Sequence, residues 1–296
     1  MSNLLANRVA IVTGAGKGLG RSHALAMALE GARVVVSDLD ADAARQTCEE
    51  IERNGGEAIW THTNVQELKE AEEMVSKATG RWGQVDILVN NAGILRDRTF
   101  ANADLPDFRL VLDVHLMGSV NCTRAVWLHM KERGYGRVIF TTSSSGLYGN
   151  FGQSAYSAAK MGLVGLMQTL ALEGDRYGIH VNCIAPSAAT QMTDPLLKPE
   201  DLLVLDPKRV SPGVIALASA NAPNKCILLA GGGSFKLAEI TMTQGIYLAG
   251  DQRDAATILA QWSGLADRSG ALVPSTGFEQ YEFEVARARA QTATKE

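Results

Sequence analysis

The sequence predicts a three-layer α/β fold, with helices on both faces of a doubly wound parallel sheet of seven strands and a helical extension at the C-terminus. Three observations predict this fold. Through the first 235 residues, short runs rich in β-branched residues alternate with longer segments of helical period. Several of the short runs are apolar at nearly every position, as strands are when helices cover both faces of a sheet. After Gly233 the alternation stops.

The seven strands are predicted at Val9–Thr13, Arg33–Ser37, Glu57–Thr61, Val85–Asn90, Gly136–Thr142, Ile179–Ala185 and Cys226–Ala230. The helical period predicts helices between them at Leu19–Glu30, Ala41–Arg53, Leu68–Arg81, Asp107–Arg133, Tyr156–Tyr177 and Lys208–Ala220. Weaker helical patterns cover Asp254–Ala266 and Phe278–Ala290, and residues 286–296 are expected to fray. We therefore expect a domain over residues 1–235 and an extension over residues 236–296 that packs on this domain or on an oligomer partner.

Composition excludes several classes of protein. With 46% hydrophobic and 20% charged residues in 296, the chain can bury a sizeable core, which excludes general disorder. A net charge of −4 without clustered lysines and arginines argues against a nucleic-acid partner. The four cysteines form no CxxC pair, so we expect reduced, mostly buried thiols and no metal site. There is no membrane-length apolar run and no signal-peptide pattern at the start, so we expect a cytoplasmic protein and no membrane partner.

A glycine-rich segment, TGAGKGLG, joins the first predicted strand to the first predicted helix, with glycines at Gly14, Gly18 and Gly20. A side chain at these positions would block both a tight turn and the approach of a pyrophosphate to the helix N-terminus. Taken alone, the GxxxGxG spacing also fits an ordinary glycine-rich turn. Its position between strand and helix favours a dinucleotide site.

Asp38 ends the second predicted strand, where a carboxylate can accept hydrogen bonds from an adenosine ribose. It would repel a 2′-phosphate, which favours NAD over NADP. Lys17, a basic residue in the glycine loop, weakens that preference. The alternative is that Asp38 is the N-cap of the next helix.

The fourth predicted strand ends in Asn90-Asn91-Ala92-Gly93, at the sheet edge where doubly wound folds bind ligands. An Asn-rich turn is common by itself, so this motif is weak in isolation. Asn91, Ala92 and Gly93 are assigned to the cofactor site. The same predicted set includes the glycine-loop residues and also Leu19, Asn64, Val65 and Pro186.

Tyr156 and Lys160 stand at positions i and i+4, which places both side chains on one helical face. An ammonium near a phenol stabilises the phenolate, so the pKa of Tyr156 is expected to fall from about 10. Such a tyrosine can act as general acid to a carbonyl oxygen or as general base to an alcohol. Ser143, 13 residues earlier at the end of the fifth strand, can hold the substrate oxygen. Ser144 and Ser145 are chemical alternatives, and the spacing selects Ser143.

Together, TGAGKGLG, NNAG and Ser143 with Tyr156-x-x-x-Lys160 resemble the short-chain dehydrogenase/reductase family over about residues 8–233. This resemblance implies a Rossmann-like fold, a nicotinamide cofactor, and Ser143, Tyr156 and Lys160 in the roles given above. It also implies that Lys160 contacts the nicotinamide ribose, that Asn91 lies beside the cofactor, and that the chain forms a homodimer or homotetramer.

The longer strings NNAGILRDRTF, VHLMGS and SSSGLYGNFGQSAYSAAKMGL, and the tail around Trp262, resemble one branch of the family, the (3R)-hydroxyacyl-CoA dehydrogenase modules of peroxisomal multifunctional enzymes. The substrate implied is a 3-hydroxyacyl thioester of coenzyme A, with Arg96, Arg98 and Lys198 as candidate phosphate contacts. Each of the three can equally be a solvated surface charge. The alternatives are a hydroxysteroid dehydrogenase or other ketone reductase, and a catalytically silent NAD-binding regulatory protein. The chain does not end in the peroxisomal Ser-Lys-Leu signal.

Two departures from the family pattern concern the site. His115 stands where many members carry Asn, and it is either a titratable member of a proton relay with Lys160 or a packed helix histidine. The Pro-Gly string after the sixth strand is altered at Pro186-Ser187. The segment from Ser187 to Asp206 is expected to be a mobile substrate lid, with an ordinary surface loop as the alternative.

Overall fold

The computed structural model describes residues 3–189 and 198–293 of the chain. It divides into two compact units, one ending at Leu237 and the other beginning at Ala238. The first unit contains the parallel sheet and the helices that cover it. The described part of the second contains three α-helices, Ala255–Ala260, Trp262–Leu265 and Phe278–Ala293, and a bridge between Met242 and Leu272.

The sheet has eight strands in the order β3-β2-β1-β4-β5-β6-β7-β8. Every pairing from β3 through β7 is parallel. The strands are β1 (Val9–Thr13), β2 (Arg33–Asp38), β3 (Glu57–His62), β4 (Ile87–Asn90), β5 (Gly136–Thr141), β6 (Ile179–Ser187), β7 (Ile227–Gly231) and β8 (Ser234–Ala238). The predicted doubly wound α/β class is confirmed, and the predicted count of seven strands is wrong by one.

The additional strand, β8, follows β7 after a two-residue turn and lies beside it at the edge of the sheet. Gly232 and Gly233 form this turn, with φ of 59° and 85°. Positive φ at both central residues is what the tightest β-hairpins require, and glycine adopts it without strain. In the sequence these glycines mark the end of the strand pattern, so the pattern did not predict the hairpin.

Twelve helices lie in the described residues: α1 (Gly18–Leu29), α2 (Ala41–Arg53), α3 (Leu68–Trp82), α4 (Leu105–Leu112), α5 (Gly118–Arg133), α6 (Ser144–Tyr148), α7 (Ser154–Asp175), α8 (Pro199–Val204), α9 (Ser211–Ala218), α10 (Ala255–Ala260), α11 (Trp262–Leu265) and α12 (Phe278–Ala293). Helices α1, α2 and α9 bury apolar side chains with alternate strand residues in one core. Helices α3, α5 and α7 pack in the other layer, against one another or the sheet. These two layers and the sheet make the three layers predicted.

The single helix predicted over Asp107–Arg133 is interrupted. Helix α4 runs into a π-helical turn, Asp113–Met117, which leads into α5. A π turn accommodates one residue more than an α turn and is frequent at functional sites. The apolar period of the sequence passes through this turn, so the sequence did not reveal it.

The other differences lie mostly at helix ends. The helix predicted over Lys208–Ala220 is a 3₁₀ turn, Pro207–Arg209, followed by α9, which has Pro212 in its first turn. Proline lacks an N–H and restricts the residue before it, so it favours a new helix start there. Helix α12 extends to Ala293, three residues beyond the predicted end at Ala290.

Several further features concern function. The predicted lid, Ser187 to Asp206, includes residues 190–197, which lie outside the described residues, and its described part contains α8. Within the described ranges, no helix has both the length and the apolar character needed to cross a bilayer. No group of three metal-ligating side chains occurs in those ranges either. All four cysteines are free thiols.

The strand order places a topological switch point in the middle of the sheet. Strand β1 pairs with β2 on one side and with β4 on the other, so the connections from its two sides diverge. In open parallel sheets, the crevice at the carboxyl ends of such strands is where ligands bind. Most of the predicted site residues lie at or after the carboxyl ends of strands β1 to β6, which brings them to this edge.

Candidate active site

The glycine loop follows β1 and opens α1, as predicted. Gly14 and Gly18 have φ of 62° and 54°. A Cβ at Gly20 would lie 2.1 Å from the carbonyl oxygen of Gly14 and 2.5 Å from Nδ2 of Asn91. The Lys17 N-cap makes no side-chain capping bond, and the first turn of α1, which includes Leu19, has no acidic residue. This N-terminus therefore has the character of an anion site.

The Asp38 carboxylate holds the glycine loop against the end of β2. One oxygen accepts the N–H of Gly16 at 2.8 Å, and the other accepts the N–H of Asp40 at 2.9 Å. The N-cap of α2 is Asp40, whose side chain accepts the N–H of Ala43 at 3.0 Å. The alternative reading of Asp38 as that N-cap is wrong, because the capping position lies two residues later.

Lys17 is paired with Asp40 rather than Asp38. Its Nζ lies 2.8 Å from a carboxylate oxygen of Asp40. Hydrogen bonding and charge attraction between the two raise the pKa of Lys17 and lower the pKa of Asp40. The positive charge that weakened the predicted NAD preference is thus already matched by a neighbouring carboxylate.

The Asn91-Ala92-Gly93 segment is fastened to the glycine loop by Thr13. The Thr13 hydroxyl accepts the N–H groups of Asn91 and Ala92 at 3.0 and 3.1 Å. In return, Nδ2 of Asn91 donates to the carbonyl oxygens of Thr13 and Gly14 at 3.0 and 3.2 Å. The two predicted cofactor segments therefore form one hydrogen-bonded unit.

Asn64 and Val65 lie in the connection after β3 and are held from two helices. A carboxylate oxygen of Glu70 accepts the Asn64 N–H at 2.7 Å. From α5, Nδ2 of Asn121 donates to the carbonyl oxygen of Val65 at 3.0 Å. Pro186, the last of the predicted cofactor residues, lies within β6 opposite Ala230 of β7.

Ser143, Tyr156 and Lys160 come together where β5 ends. Ser143 is the N-cap of α6, and its Oγ accepts the N–H of Ser145 at 3.1 Å. The Ser143 side chain lies near enough to the Tyr156 phenol to lower its pKa. The Nζ of Lys160 lies 5.5 Å from the centre of the Tyr156 ring and donates to the carbonyl oxygen of Thr141 at 2.6 Å.

The protonation of this cluster differs from the prediction. Burial raises the pKa of Tyr156, the Ser143 side chain opposes that rise, and the negative charge of Asp97 adds to it. Burial also lowers the pKa of Lys160 to about 7. The expected fall in the pKa of Tyr156 is wrong for the protein by itself, because burial of the phenol is the largest influence on its pKa.

His115 lies in the site, on the π turn and 2% exposed. Its ring meets the Tyr156 ring edge to face, with 5.2 Å between centres. Burial lowers the pKa of His115 to about 3, the charge of Lys160 acts in the same direction, and a hydrogen bond with Ile94 opposes them. The expectation that His115 titrates near neutrality is therefore wrong.

Several supporting residues were missed by the sequence analysis, namely Thr13, Gly146 and Asn121. A Cβ at Gly146 would lie 2.8 Å from the Cβ of Lys160, so glycine lets α6 lie directly against α7. The position of Thr13 at the start of the glycine loop was a possible signal. The roles of Gly146 and Asn121 depend on contacts between distant segments, which no local motif reveals.

Comparison with known families agrees with this geometry. The family profile described as short chain dehydrogenase matches residues 8–201. The peroxisomal multifunctional enzyme type 2 of Mus musculus is 48% identical over 220 residues, which cover 71% of this chain and 29% of the mouse protein. A protein of Mycobacterium tuberculosis named as a short-chain type dehydrogenase/reductase, Rv0148, is 42% identical over 277 residues, 90% of this chain and 96% of that protein.

A solved structure extends the match. The full-length peroxisomal multifunctional enzyme type 2 of Drosophila melanogaster superposes with a TM-score of 0.81 at 36% identity, covering 97% of this chain and 50% of the fly chain. This chain thus spans less than a third of the mouse protein and half of the fly protein. The predicted resemblance to this branch is confirmed. The chain belongs to the short-chain dehydrogenase family, and it is an oxidoreductase that acts on CH–OH donors with a nicotinamide cofactor.

Proposed function

We propose that this chain transfers a hydride between NAD and a 3-hydroxyacyl thioester of coenzyme A, giving the 3-ketoacyl form or the reverse. The observation that carries the reaction is the meeting of Ser143, Tyr156 and Lys160 beside the glycine loop at one sheet edge. The substrate class is supported by the similarity to the multifunctional enzymes, which extends over nearly the whole chain in the fly structure.

The residues present fit a nicotinamide dinucleotide. The uncapped N-terminus of α1 offers N–H groups to a pyrophosphate, and side chains at Gly14 and Gly20 would close the turn that forms this surface. Asp38 uses each carboxylate oxygen for one backbone N–H, and each oxygen retains capacity to accept a ribose hydroxyl. Asn91, Ala92, Gly93, Asn64, Val65 and Pro186 complete the proposed cofactor site.

The proposed proton chemistry belongs to Tyr156. In reduction its phenol donates a proton to the substrate oxygen, and in oxidation its phenolate removes the hydroxyl proton. Burial keeps the phenol protonated near neutrality, which suits the reducing direction. Ser143 is placed to donate a hydrogen bond to the same substrate oxygen. The bound nicotinamide supplies or accepts the hydride.

Lys160 has two proposed roles. Its ammonium, close to the Tyr156 ring, favours the phenolate that oxidation needs. The family resemblance further implies a contact with the nicotinamide ribose. With a pKa of about 7, Lys160 is divided between its charged and neutral forms near neutrality, so binding of a ligand at the site can shift its protonation in either direction.

Two arginines support a phosphorylated substrate. Arg96 and Arg98 line a small cavity of which Tyr156 is also part. Arg96 lies 3.5 Å from Asp107, and its side chain is 46% exposed. Because the guanidinium retains access to solvent, it can also meet a phosphate of coenzyme A. Lys198, the third predicted contact, is exposed.

The test compares 3-hydroxyacyl-CoA, a hydroxysteroid and a simple secondary alcohol with NAD, followed by nicotinamide absorbance. We expect the thioester to be turned over most efficiently. Arg96→Ala should raise KM for the CoA thioester but not for an acyl-cysteamine thioester, which lacks the nucleotide phosphates. Arg45→Ala, on an exposed arginine of α2 paired with Asp42, is the control. Efficient turnover of the steroid or the simple alcohol, with none of the thioester, would overturn the substrate and leave the dehydrogenase assignment intact.

A cytoplasmic location and a homodimer or homotetramer complete the proposal. The location rests on the lack of a signal-peptide pattern in the sequence and the oligomer on the family resemblance, while the multifunctional relatives named above are peroxisomal by name. Fluorescence microscopy of the tagged chain beside a peroxisomal marker tests the location. Co-localisation with that marker would overturn it.

A further inference from the structure

We propose that His115 is a positioning residue whose ring sets the spacing between Tyr156 and the segment Gly93–Ile94. This inference rests on the proposed role of Tyr156. It assigns His115 neither a proton-transfer step nor a cofactor contact. The role follows from three contacts of one buried ring, each with a different part of the site.

The first contact is with the backbone of Ile94. The Ile94 N–H donates to Nε2 of His115 at 3.0 Å, and the same nitrogen lies 2.7 Å from the Ile94 carbonyl oxygen. The opposite ring nitrogen, Nδ1, is buried and has no hydrogen-bond partner among the described residues. All of the polar bonding of the ring is therefore directed at one residue of the loop after β4.

The second contact is with Gly93. A Cβ at Gly93 would lie 2.2 Å from Cε1 and 2.9 Å from Nδ1 of His115. Gly93 does not have a positive φ, so its backbone conformation does not require glycine. What excludes a side chain at Gly93 is the imidazole itself, which lies directly on the loop.

The third contact is with Tyr156, whose ring stands at 89° to the imidazole with 5.2 Å between centres. Edge-to-face packing at this distance is a favoured aromatic arrangement. The imidazole thus separates the phenol from the loop by one ring. A small displacement of a reacting group can greatly lower the rate of an enzyme, so a fixed position of the Tyr156 ring favours its proposed proton transfer.

A relay role is disfavoured by the surroundings of the ring. The charged or titratable groups facing it are Lys160 and Tyr156, and neither has a hydrogen bond to it in the structure. With its pKa lowered to about 3, His115 is neutral at the pH where the enzyme is expected to work.

Three substitutions at His115 separate the ring from its polar atom. His115→Ala removes both, His115→Phe keeps a ring, and His115→Gln keeps an amide near Ile94. If the ring sets the spacing, we expect His115→Ala to lose about 100-fold in kcat. The kcat of His115→Phe should be about tenfold higher than that of His115→Ala, and the kcat of His115→Gln should be close to that of His115→Ala. KM for the nicotinamide cofactor should change less than kcat. Met117→Ala, an exposed position on the same π turn, is the control.

Equal kcat values for Phe and Ala would overturn the proposal, because a relay or a hydrogen-bonding role treats both alike. The same substitutions in a Tyr156→Phe background should cause no further loss of kcat. A further loss there would show that His115 acts independently of Tyr156. If Tyr156→Phe is itself fully active, the proposed role of Tyr156 fails, and the role of His115 that rests on it fails with it.

A second measurement does not depend on activity. Gly93→Ala alone should lower the melting temperature and weaken NADH binding, measured by fluorescence. In the His115→Ala background the added methyl group has room, so the double variant should melt and bind NADH like His115→Ala alone. If Gly93→Ala is equally harmful in both backgrounds, the ring does not determine the need for glycine.

Discussion

The ammonium of Lys160 donates a 2.6 Å hydrogen bond to the carbonyl oxygen of Thr141, the last residue of β5. In the reverse direction, the Thr142 hydroxyl donates to the carbonyl oxygen of Lys160 at 2.6 Å. The helix that carries Tyr156 is thereby joined to the strand that leads to Ser143. The relative position of the two proposed catalytic groups is thus fixed by bonds that involve neither of them.

The buried ammonium of Lys160 predicts a pH dependence of stability. Its pKa is about 7 in the folded protein against 10.5 for an unperturbed lysine, so between these values the unfolded chain binds more protons. Stability from this group therefore rises with pH through that window, by about 1.4 kcal/mol per pH unit. Urea unfolding of wild type and Lys160→Met from pH 7 to 10 should show the wild type gaining relative to the variant. Wild type should show no such gain over Lys77→Met, in which an exposed lysine is replaced. If the stability of Lys160→Met instead changes with pH in parallel with that of wild type, the assignment is refuted.

Tyr156→Phe should fold and bind NADH but lose at least ~100-fold in kcat, the usual contribution of a general acid or base. Activity is measured at the nicotinamide absorbance and binding by NADH fluorescence. Tyr177→Phe, just beyond the C-terminal end of α7, should leave kcat and NADH binding unchanged. Near-normal turnover by Tyr156→Phe would remove this residue from the mechanism.

Replacing Asp38 by Ala should narrow the preference for NAD over NADP, because the carboxylate that repels a 2′-phosphate is gone. The variant also loses the bond to Gly16, so affinity for both cofactors should fall. The informative quantity is the ratio of kcat/KM for the two cofactors. Asp42→Ala, on an exposed acid nearby in α2, should leave that ratio unchanged. A natural preference for NADP would contradict the role given to Asp38.

Gly20→Ala should destabilise the protein and abolish cofactor binding, since the new methyl group would meet the Gly14 carbonyl oxygen at 2.1 Å. The matched control is Gly80→Ala in α3, where a Cβ has no neighbour within 4 Å. That change should stabilise the protein by about 0.5–1 kcal/mol, because alanine is the better helix former. Thermal unfolding with and without NADH distinguishes the two. Cofactor binding by Gly20→Ala would contradict the packing described.

The proposed oligomer predicts that charge on the outer faces of α5 and α7 disrupts association. Leu128, Met161 and Leu172 on these helices are 57%, 40% and 49% exposed. Leu172→Asp should shift light scattering toward the monomer, because a carboxylate is costly in an apolar interface. Leu29→Asp, at a similarly exposed leucine of α1, should not. A wild-type monomer at micromolar concentration would exclude the proposal.

Much of the fold could be predicted because its elements carry strong local patterns. Strand β1 and helix α2 agree with their predicted bounds, one as a continuous apolar run and the other with a clear apolar face. Helix α6 was missed because five residues are too few to establish a helical period, and strand β8 was missed because Gly232 and Gly233 mark the end of the strand pattern before it. Their positions depend on packing against longer elements.

The site was predictable in membership but not in protonation. Motif order and spacing were enough to nominate Ser143, Tyr156 and Lys160. The direction of the pKa shift at Tyr156 was wrong, because it depends on how deeply the phenol is buried and on Asp97, which is distant in sequence. The bond from the Gly16 N–H to Asp38 was equally hidden, since Gly16 belongs to a loop whose path only the folded chain defines.

The π turn at Asp113–Met117 makes the length of this helix part of the active site. Deleting one residue there would allow regular α-helical winding and rotate the preceding turns by about 100° relative to α5. His115 would then no longer contact the loop at Gly93, while Asn121 on α5 would keep its hydrogen bond to Val65. An insertion or deletion inside this helix should therefore be as harmful as one in the glycine loop. Chimaeras with other family members must preserve this spacing even where no residue in it is shared.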